Sequence, residues 1–268
     1  MAVAELCVIH FPLATMPIYD KPVRVLIRDM ISSLTTKLEP RFSKDAALEW
    51  FAQNYPKIKE GTISAHLLRF STNAPSRLHH SVRADEDLLF QIDGSHFRLY
   101  DAATDPSPIH SPADVPVSCV KVIETPGGVP SPSEFAYESD LRDFLAKNLS
   151  HIEPGLHLYQ EEGITGIEFP VGGRFIDVLA LDAQQNFVVI ELKVSRGYDR
   201  VIGQLLRYMA WIEKHHAEAG QGVRGIIAAR EISEDLKLAC SNLPNVELYE
   251  YELSVTLRKL VAEVIAKG

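Results

Sequence analysis

Three charged residues stand where an ordinary buried strand would carry none. Asp177 lies within Gly172-Gly173-Arg174-Phe175-Ile176-Asp177-Val178-Leu179-Ala180-Leu181. Glu191 and Lys193 lie within Phe187-Val188-Val189-Ile190-Glu191-Leu192-Lys193-Val194. Side chains alternate along a strand, so Glu191 and Lys193 project from one face. The turn-like segment Asp182–Asn186 makes the two strands antiparallel neighbours and brings Asp177 beside Glu191. Two crowded carboxylates repel, and either one protonates or both are neutralised by a cation. Oxygen ligands favour a hard ion, Mg²⁺ with Mn²⁺ able to substitute, over zinc. Such an ion holds a phosphate oxygen, lowers the pKa of a bound water and stabilises the negative charge of the transition state. The Lys193 ammonium could orient the water, help deprotonate it, or stabilise developing charge. The chemistry is phosphodiester hydrolysis.

The surrounding elements must place these groups. Ser131-Pro132-Ser133-Glu134 reads as a helix start, with Ser131 the N-cap, Pro132 at the first helical position and Glu134 completing a capping box. That helix runs to about Leu149, and Glu138 falls on its apolar stripe with Phe135, Leu141, Leu145 and Leu149. A carboxylate there is costly without a cation or a proton donor. After the second strand, Val201, Ile202, Leu205, Leu206, Met209 and Ile212 give a long apolar helical face. On it Gln204 and Tyr208 are four residues apart and share one side. A strand at Val223–Ala229, a helix at Ser233–Cys240 and a strand at Val246–Tyr251 follow, and the tail from Leu253 to Ala266 reads as strand or helix. The expected architecture is α/β, a mixed and largely central sheet flanked by helices. Arg174 and Arg196, then Arg200 and Arg207, are candidate phosphate contacts. His151, His157, His215 and His216 have no ligand spacing to the acids and read as surface or packing residues. Gly172-Gly173 reads as a turn.

Asp177 followed by Glu191-Leu192-Lys193 resembles the D-x(n)-E-x-K signature of the PD-(D/E)xK nuclease superfamily. Glu138 matches the extra acid that many members carry on a preceding helix, and Gln204-Leu205-Leu206-Arg207-Tyr208 matches the Q-x-x-x-Y element of RecB-like members. More narrowly, Gly173–Ala180, Val188–Lys193 and Gly203–Tyr208 resemble the nuclease domain of NucS-type (EndoMS-like) endonucleases over about residues 131–258. The resemblance implies a restriction-endonuclease-like fold in which Asp177, Glu191 and the Leu192 carbonyl hold Mg²⁺. It also implies that Lys193 assists the attacking water, Glu138 supports the metal or its water, and Gln204 and Tyr208 organise the site. Ile176 stands where the signature has proline, which leaves the carboxylate chemistry intact.

The rest of the chain is read as a targeting unit and a joint. Between Ala102 and Ser133 lie seven of the 16 prolines and Gly127-Gly128, the composition of an extended linker, with a short strand possible at Val117–Ile123. The reading divides the chain into 1–101, 102–132 and 133–268. In the first part Val23, Leu26, Ile27, Met30, Ile31 and Leu34 recur at helical spacing. Ser43 caps a second helix that ends before Pro56, and Thr62 a third, through Phe70. Leu88–Ile92 and His96–Tyr100 flank Asp93-Gly94-Ser95 as a hairpin. Three helices and a hairpin resemble a winged helix-turn-helix, whose third helix enters the major groove. Lys57, Lys59, Thr62, Ser64, His66 and Arg69 are thus expected DNA contacts, against a reading in which this module binds protein.

The 268 residues carry a formal charge of -9, with 12 Lys/Arg against 11 Asp/Glu in residues 1–100 and 14 against 21 in residues 131–268. That excludes a polycationic coat, so a polyanion must be met by a few placed side chains. Three dispersed cysteines argue against a disulfide framework or a cysteine zinc site and for a reducing, cytoplasmic home. No apolar run is long enough for a membrane span and the start lacks a secretory signal. The expectation is a Mg²⁺-dependent DNA endonuclease, a homodimer by analogy with enzymes that cut both strands, in restriction or repair. The competing expectations are a non-catalytic DNA-binding or regulatory protein on the same scaffold and an RNA-directed nuclease.

Overall fold

The structure, a computed structural model, describes residues 19–36, 39–115, 132–193 and 199–252. The Ser131 cap, the Val117–Ile123 strand, Arg196 and the 253–266 tail lie outside the described residues.

The N-terminal unit runs α1 (Val23–Leu34), β1 (Arg41–Ser43), α2 (Lys44–Asn54), α3 (Glu60–Phe70), β2 (Leu89–Gln91) and β3 (His96–Leu99). The periodic residues Val23, Leu26, Ile27, Met30 and Ile31 are all buried along α1. Ser43 caps α2, its Oγ accepting from the Ala46 amide. The Asp93-Gly94-Ser95 turn is closed by Asp93 Oδ1, which accepts from the Ser95 and His96 amides. The hairpin gains a third strand, β1, in the order β1-β3-β2. Phe42 and Phe97 stack across it at 5.7 Å. These elements close one core with Phe51, Ile63, Leu67, Phe70 and Leu89.

The start of α3 departs from expectation. The helix begins at Glu60, two residues before Thr62, with Lys59 at the cap position and no side-chain cap bond. The proline-rich joint departs too in its described part. Ile109 is buried, its amide donates to the Thr72 carbonyl and its carbonyl accepts from Arg77 Nη1, so this stretch lies back on the N-terminal unit.

The C-terminal unit is α4 (Pro132–Lys147), β4 (His157–Leu158), β5 (Gln160–Glu161), β6 (Ile164–Thr165), β7 (Ile167–Val171), β8 (Arg174–Leu181), β9 (Phe187–Lys193), α5 (Asp199–His215), β10 (Val223–Ala229), α6 (Glu234–Cys240) and β11 (Val246–Glu250). Its main sheet has the order β11-β10-β9-β8-β4, with β7 also on β8. β9, β10 and β11 are parallel, joined through α5 and α6, whereas β8 is antiparallel to β9. Helices cover both faces, which is why β9 reads as a continuous apolar run rather than an alternating one. Val188, Ile190 and Leu192 pack with Leu141 of α4. Phe187 and Val189 pack on the opposite face with Val201, Leu205, Tyr208, Met209 and Ile212 of α5. The mixed, helix-flanked sheet is the expected one.

The two units are mortised together by α3, every residue of which from Gly61 to Phe70 is buried. Ile63, Leu67 and Phe70 enter the N-terminal core, while Ala65 enters the core under α5. Gly61 is required by this approach: a Cβ there would meet His216 Nδ1 at 2.9 Å and the Phe169 ring at 3.0 Å. A polar network follows the same seam. Thr62 Oγ1 and Tyr159 Oη both donate to Glu161 Oε2, at 2.8 and 2.7 Å. The Val23 amide, at the start of α1, donates to Glu162 Oε2 at 2.6 Å. Burial pushes the imidazoles at this seam down, His66 to about 4 and both His80 and His216 to about 3, so all three are neutral at neutral pH.

Candidate active site

β8 and β9 pair from Leu181–Phe187 to Val178–Ile190, and beyond that pair come Asp177 and Glu191. At this end Asp177 Oδ2 accepts from the Leu192 amide at 2.8 Å. The alternation of β8 breaks here. Val178 and Ala180 pack towards α4, Leu179 packs towards α5, and Ile176 joins the α5 side out of turn.

Glu191 is 1% exposed although it is a carboxylate. Its Oε1 accepts from Lys193 Nζ at 2.9 Å and from Gln204 Nε2 at 2.5 Å. The Gln204 amide also reaches Tyr208 Oη at 3.2 Å, so the two α5 residues act on the site as one unit. Glu191 Oε2 is buried with no hydrogen-bond partner. Burial, then the Asp177 charge, pushes the Glu191 carboxyl up to about 8. Burial raises Asp177 as well, opposed by Lys193 and the Leu192 amide. On Lys193 burial acts downward, but Glu191 and Asp177 outweigh it and the ammonium is held above its ordinary range. Burial and the two acids raise Tyr208 to about 12.

Glu138 on α4 is half-buried, and burial followed by Asp177 raises its carboxyl, against Lys193 and Arg142. Arg142, one turn further, pairs with Glu168 Oε1 at 2.5 Å and with Asp143 at 3.3 Å rather than with Glu138. Arg174 is exposed at the head of β8, and its charge lowers the Tyr208 hydroxyl. Arg200 and Arg207 are exposed on α5.

The expected DNA contacts of α3 are corrected by the same structure. Thr62, Ser64, His66 and Arg69 are 3%, 5%, 0% and 2% exposed, so none of them presents a surface to a duplex. Thr62 is bonded to Glu161. His66 Nδ1 bonds the Thr62 carbonyl within α3. Arg69 pairs with Glu86 through Nε and Nη2, both at 2.9 Å, and donates Nη1 to the Glu162 carbonyl. Lys59 pairs with Glu218 at 3.2 Å. Lys57 alone of the set is exposed. Sequence reasoning passed over Glu161 and Glu168, on short strands, and Glu162, in the turn after β5, whose partners lie on other elements.

A hard divalent cation suits the donor set. Asp177 and Glu191 offer carboxylate oxygens, both carboxyls are raised in its absence, and Glu191 Oε2 is an orphan that a cation would satisfy. Among the described residues no three His, Cys, Asp or Glu side chains form a cage by themselves, so Glu138 stands in the field of the pair rather than closing a triad.

Two acids and a lysine converge where antiparallel β8 and β9 part, with a Gln–Tyr pair behind them, the arrangement expected from the resemblance to the PD-(D/E)xK nucleases. Residues 137–252 match the family model of the endonuclease NucS C-terminal domain. Residues 22–99 match a domain of unknown function, DUF7669. Similar curated proteins include the endonuclease NucS of Methanopyrus kandleri, 33% identical over 102 residues, covering 38% of this chain and 36% of that protein. The endonuclease NucS of Pyrococcus furiosus is 31% identical over 101 residues, 37% of this chain and 34% of that one. The chain therefore spans about a third of the length of the curated relatives it matches. A repair endonuclease from Pyrococcus abyssi shares 25% identity over 43% of this chain and 46% of its own, with a TM-score of 0.36. An EndoMS–dsDNA complex shares 20% over 60% and 53%, with a TM-score of 0.35. Among the described residues no helix is long and apolar enough to cross a membrane.

Proposed function

We propose that the protein is a divalent-metal-dependent DNA endonuclease that hydrolyses phosphodiester bonds at the Asp177–Glu191–Lys193 site. The observation that carries this reading is the buried, partnerless Glu191 Oε2 beside a second raised carboxylate. Asp177, Glu191 and the Leu192 carbonyl would hold Mg²⁺ or Mn²⁺. Such an ion supplies a bound water of lowered pKa and a positive charge against the scissile phosphate. Lys193, held protonated by Glu191 and Asp177, serves as a charge donor to the phosphate and its attacking water. Gln204 fixes the Glu191 oxygen that faces Lys193, and Tyr208 buttresses Gln204. Exposed Arg174, with Arg200 and Arg207 on α5, is placed to meet phosphates on the approach to the site.

The element order α1-β1-α2-α3-β2-β3 supports reading this unit as a winged helix-turn-helix. Because α3 is occupied by docking, duplex contact by this unit falls to the exposed Lys57 and the β2–β3 hairpin. A homodimer would place two such sites on opposite strands. The test is cleavage of plasmid and short DNA or RNA duplexes, unmodified, modified and mismatched, with Mg²⁺ or Mn²⁺. Metal-dependent cutting that is lost in Asp177→Ala is expected. Cutting that survives Asp177→Ala removes the assignment, and binding without cleavage across these substrates favours a regulatory scaffold.

A further inference from the structure

Glu168 on β7 lies directly across the sheet from Asp177. The β7–β8 ladder pairs Ile167 with Val178 and Phe169 with Ile176, and Glu168 occupies the skipped position between them. There it adopts φ 48°, a left-handed backbone. Strain of that kind in a residue other than glycine persists only where surrounding contacts hold it. The contacts come from two directions. Glu168 Oε1 accepts from Arg142 Nη1 on α4, one turn from Glu138. Glu168 Oε2 faces His79 Nε2 at 3.5 Å. His79 ends the 3-10 turn Pro75–His79 of the N-terminal unit, and its carbonyl accepts from Thr165 Oγ1 at 2.8 Å. Next to it, His80 Nδ1 accepts from the Thr165 amide at 3.4 Å. The break in β8 alternation falls at Asp177, opposite this residue.

We infer that Glu168 is a positioning residue: gripped by Arg142 and by His79, it fixes the β7–β8 break that turns the Asp177 carboxylate towards the end of β9. Seating of the N-terminal unit is thereby coupled to assembly of the active site. The inference rests on the nuclease reading for its kinetic consequence but not for its structural one.

The full chain is used, with Glu168→Gly, Glu168→Asp and His79→Gln, and two independent readouts. The first is hydrogen exchange at the Leu192 amide, which donates to Asp177. Glu168→Gly relieves the backbone strain, so the variant folds, yet Leu192 exchanges faster than in the wild type. His79→Gln acts in the same direction, and Glu168→Asp, which keeps the charge and tolerates this backbone, recovers part of the protection. The second is metal-dependent cleavage, where displacement of a reacting group by about 1 Å costs on the order of 10²-fold. A fall in kcat with KM for the duplex within about twofold is expected. The double variant His79→Gln/Glu168→Gly should be no worse than Glu168→Gly, as contacting residues are non-additive. Unchanged Leu192 exchange in a folded Glu168→Gly overturns the proposal whatever the activity. An inactive wild type with the expected exchange pattern instead removes the nuclease reading and leaves this one standing.

Discussion

Replacing Glu191 with Gln should stabilise the metal-free protein at alkaline pH, although it removes a residue at the centre of the site. The change keeps an oxygen to accept from Lys193 and Gln204, and puts a neutral amide nitrogen where Oε2 has no partner. Burial and Asp177 raise the Glu191 carboxyl from 4.5 to about 8, so between those values the folded state binds a proton that the unfolded chain has released. Linkage then makes stability fall as pH rises through that window: the contribution is fully present below about 4.5 and gone above about 8. At 1.36 kcal/mol per pH unit, the interval of about 3.5 units corresponds to an upper bound of about 5 kcal/mol. Relaxation of the site makes about 2 kcal/mol the working figure, and at about 2–4 °C per kcal/mol for a chain of this class Tm should move by several degrees. Thermal melts of the wild type and Glu191→Gln, in chelator, from pH 5 to 9 measure this. The two curves should diverge as pH rises, with the variant the more stable, and Mg²⁺ or Mn²⁺ should raise the wild type alone at high pH. Parallel curves, or a variant that is less stable at pH 8.5 than the wild type, would refute the reasoning.

Lys193→Ala should lower metal-dependent cleavage by about 10²–10³-fold, the range of a lost charge-stabilising donor, with the fold kept by circular dichroism. Arg69→Met leaves Glu86, 1% exposed, without its ion-pair partner and should cost about 3–5 kcal/mol in urea denaturation. Its duplex affinity, scored at a temperature where the variant is folded, should match the wild type because the guanidinium faces no surface. Gly166→Ala should fail to accumulate as folded protein, since a Cβ there would stand 2.0 Å from the Leu179 carbonyl oxygen. Gln204→Ala should raise the metal concentration needed for half-maximal cleavage, because Glu191 Oε1 loses its 2.5 Å donor.

The strands of the candidate site were legible because charge in an apolar run is costly, which marks Asp177, Glu191 and Lys193 without any knowledge of their partners. Gln204 and Tyr208 were legible by helical spacing, and their shared hydrogen bond follows from it. The fate of α3 was not legible. Thr62, Ser64, His66 and Arg69 look like a solvated face within their own segment. Thr62 and Arg69 are met by Glu161, on a two-residue strand, and by the Glu162 carbonyl, in the turn that follows it, more than 90 residues later. Periodicity reports which face of a helix is apolar, but it does not report that a polar face has been matched by another polar surface. Glu168 was hidden for a related reason: its backbone angle and its contacts with Arg142 and His79 are properties of the assembled sheet, not of Ile167–Val171.

The seating of α3 also limits how this chain can diversify. A targeting segment on a flexible tether can be exchanged for another with no effect on the catalytic half. Here the α3 helix supplies Ala65 to the core beneath α5, and Gly61 admits the His216 and Phe169 rings. A transplanted head would have to reproduce that socket as well as its own specificity. New preferences should therefore arise by change at outward positions such as Lys57 and the hairpin loop, while the buried seam is inherited whole.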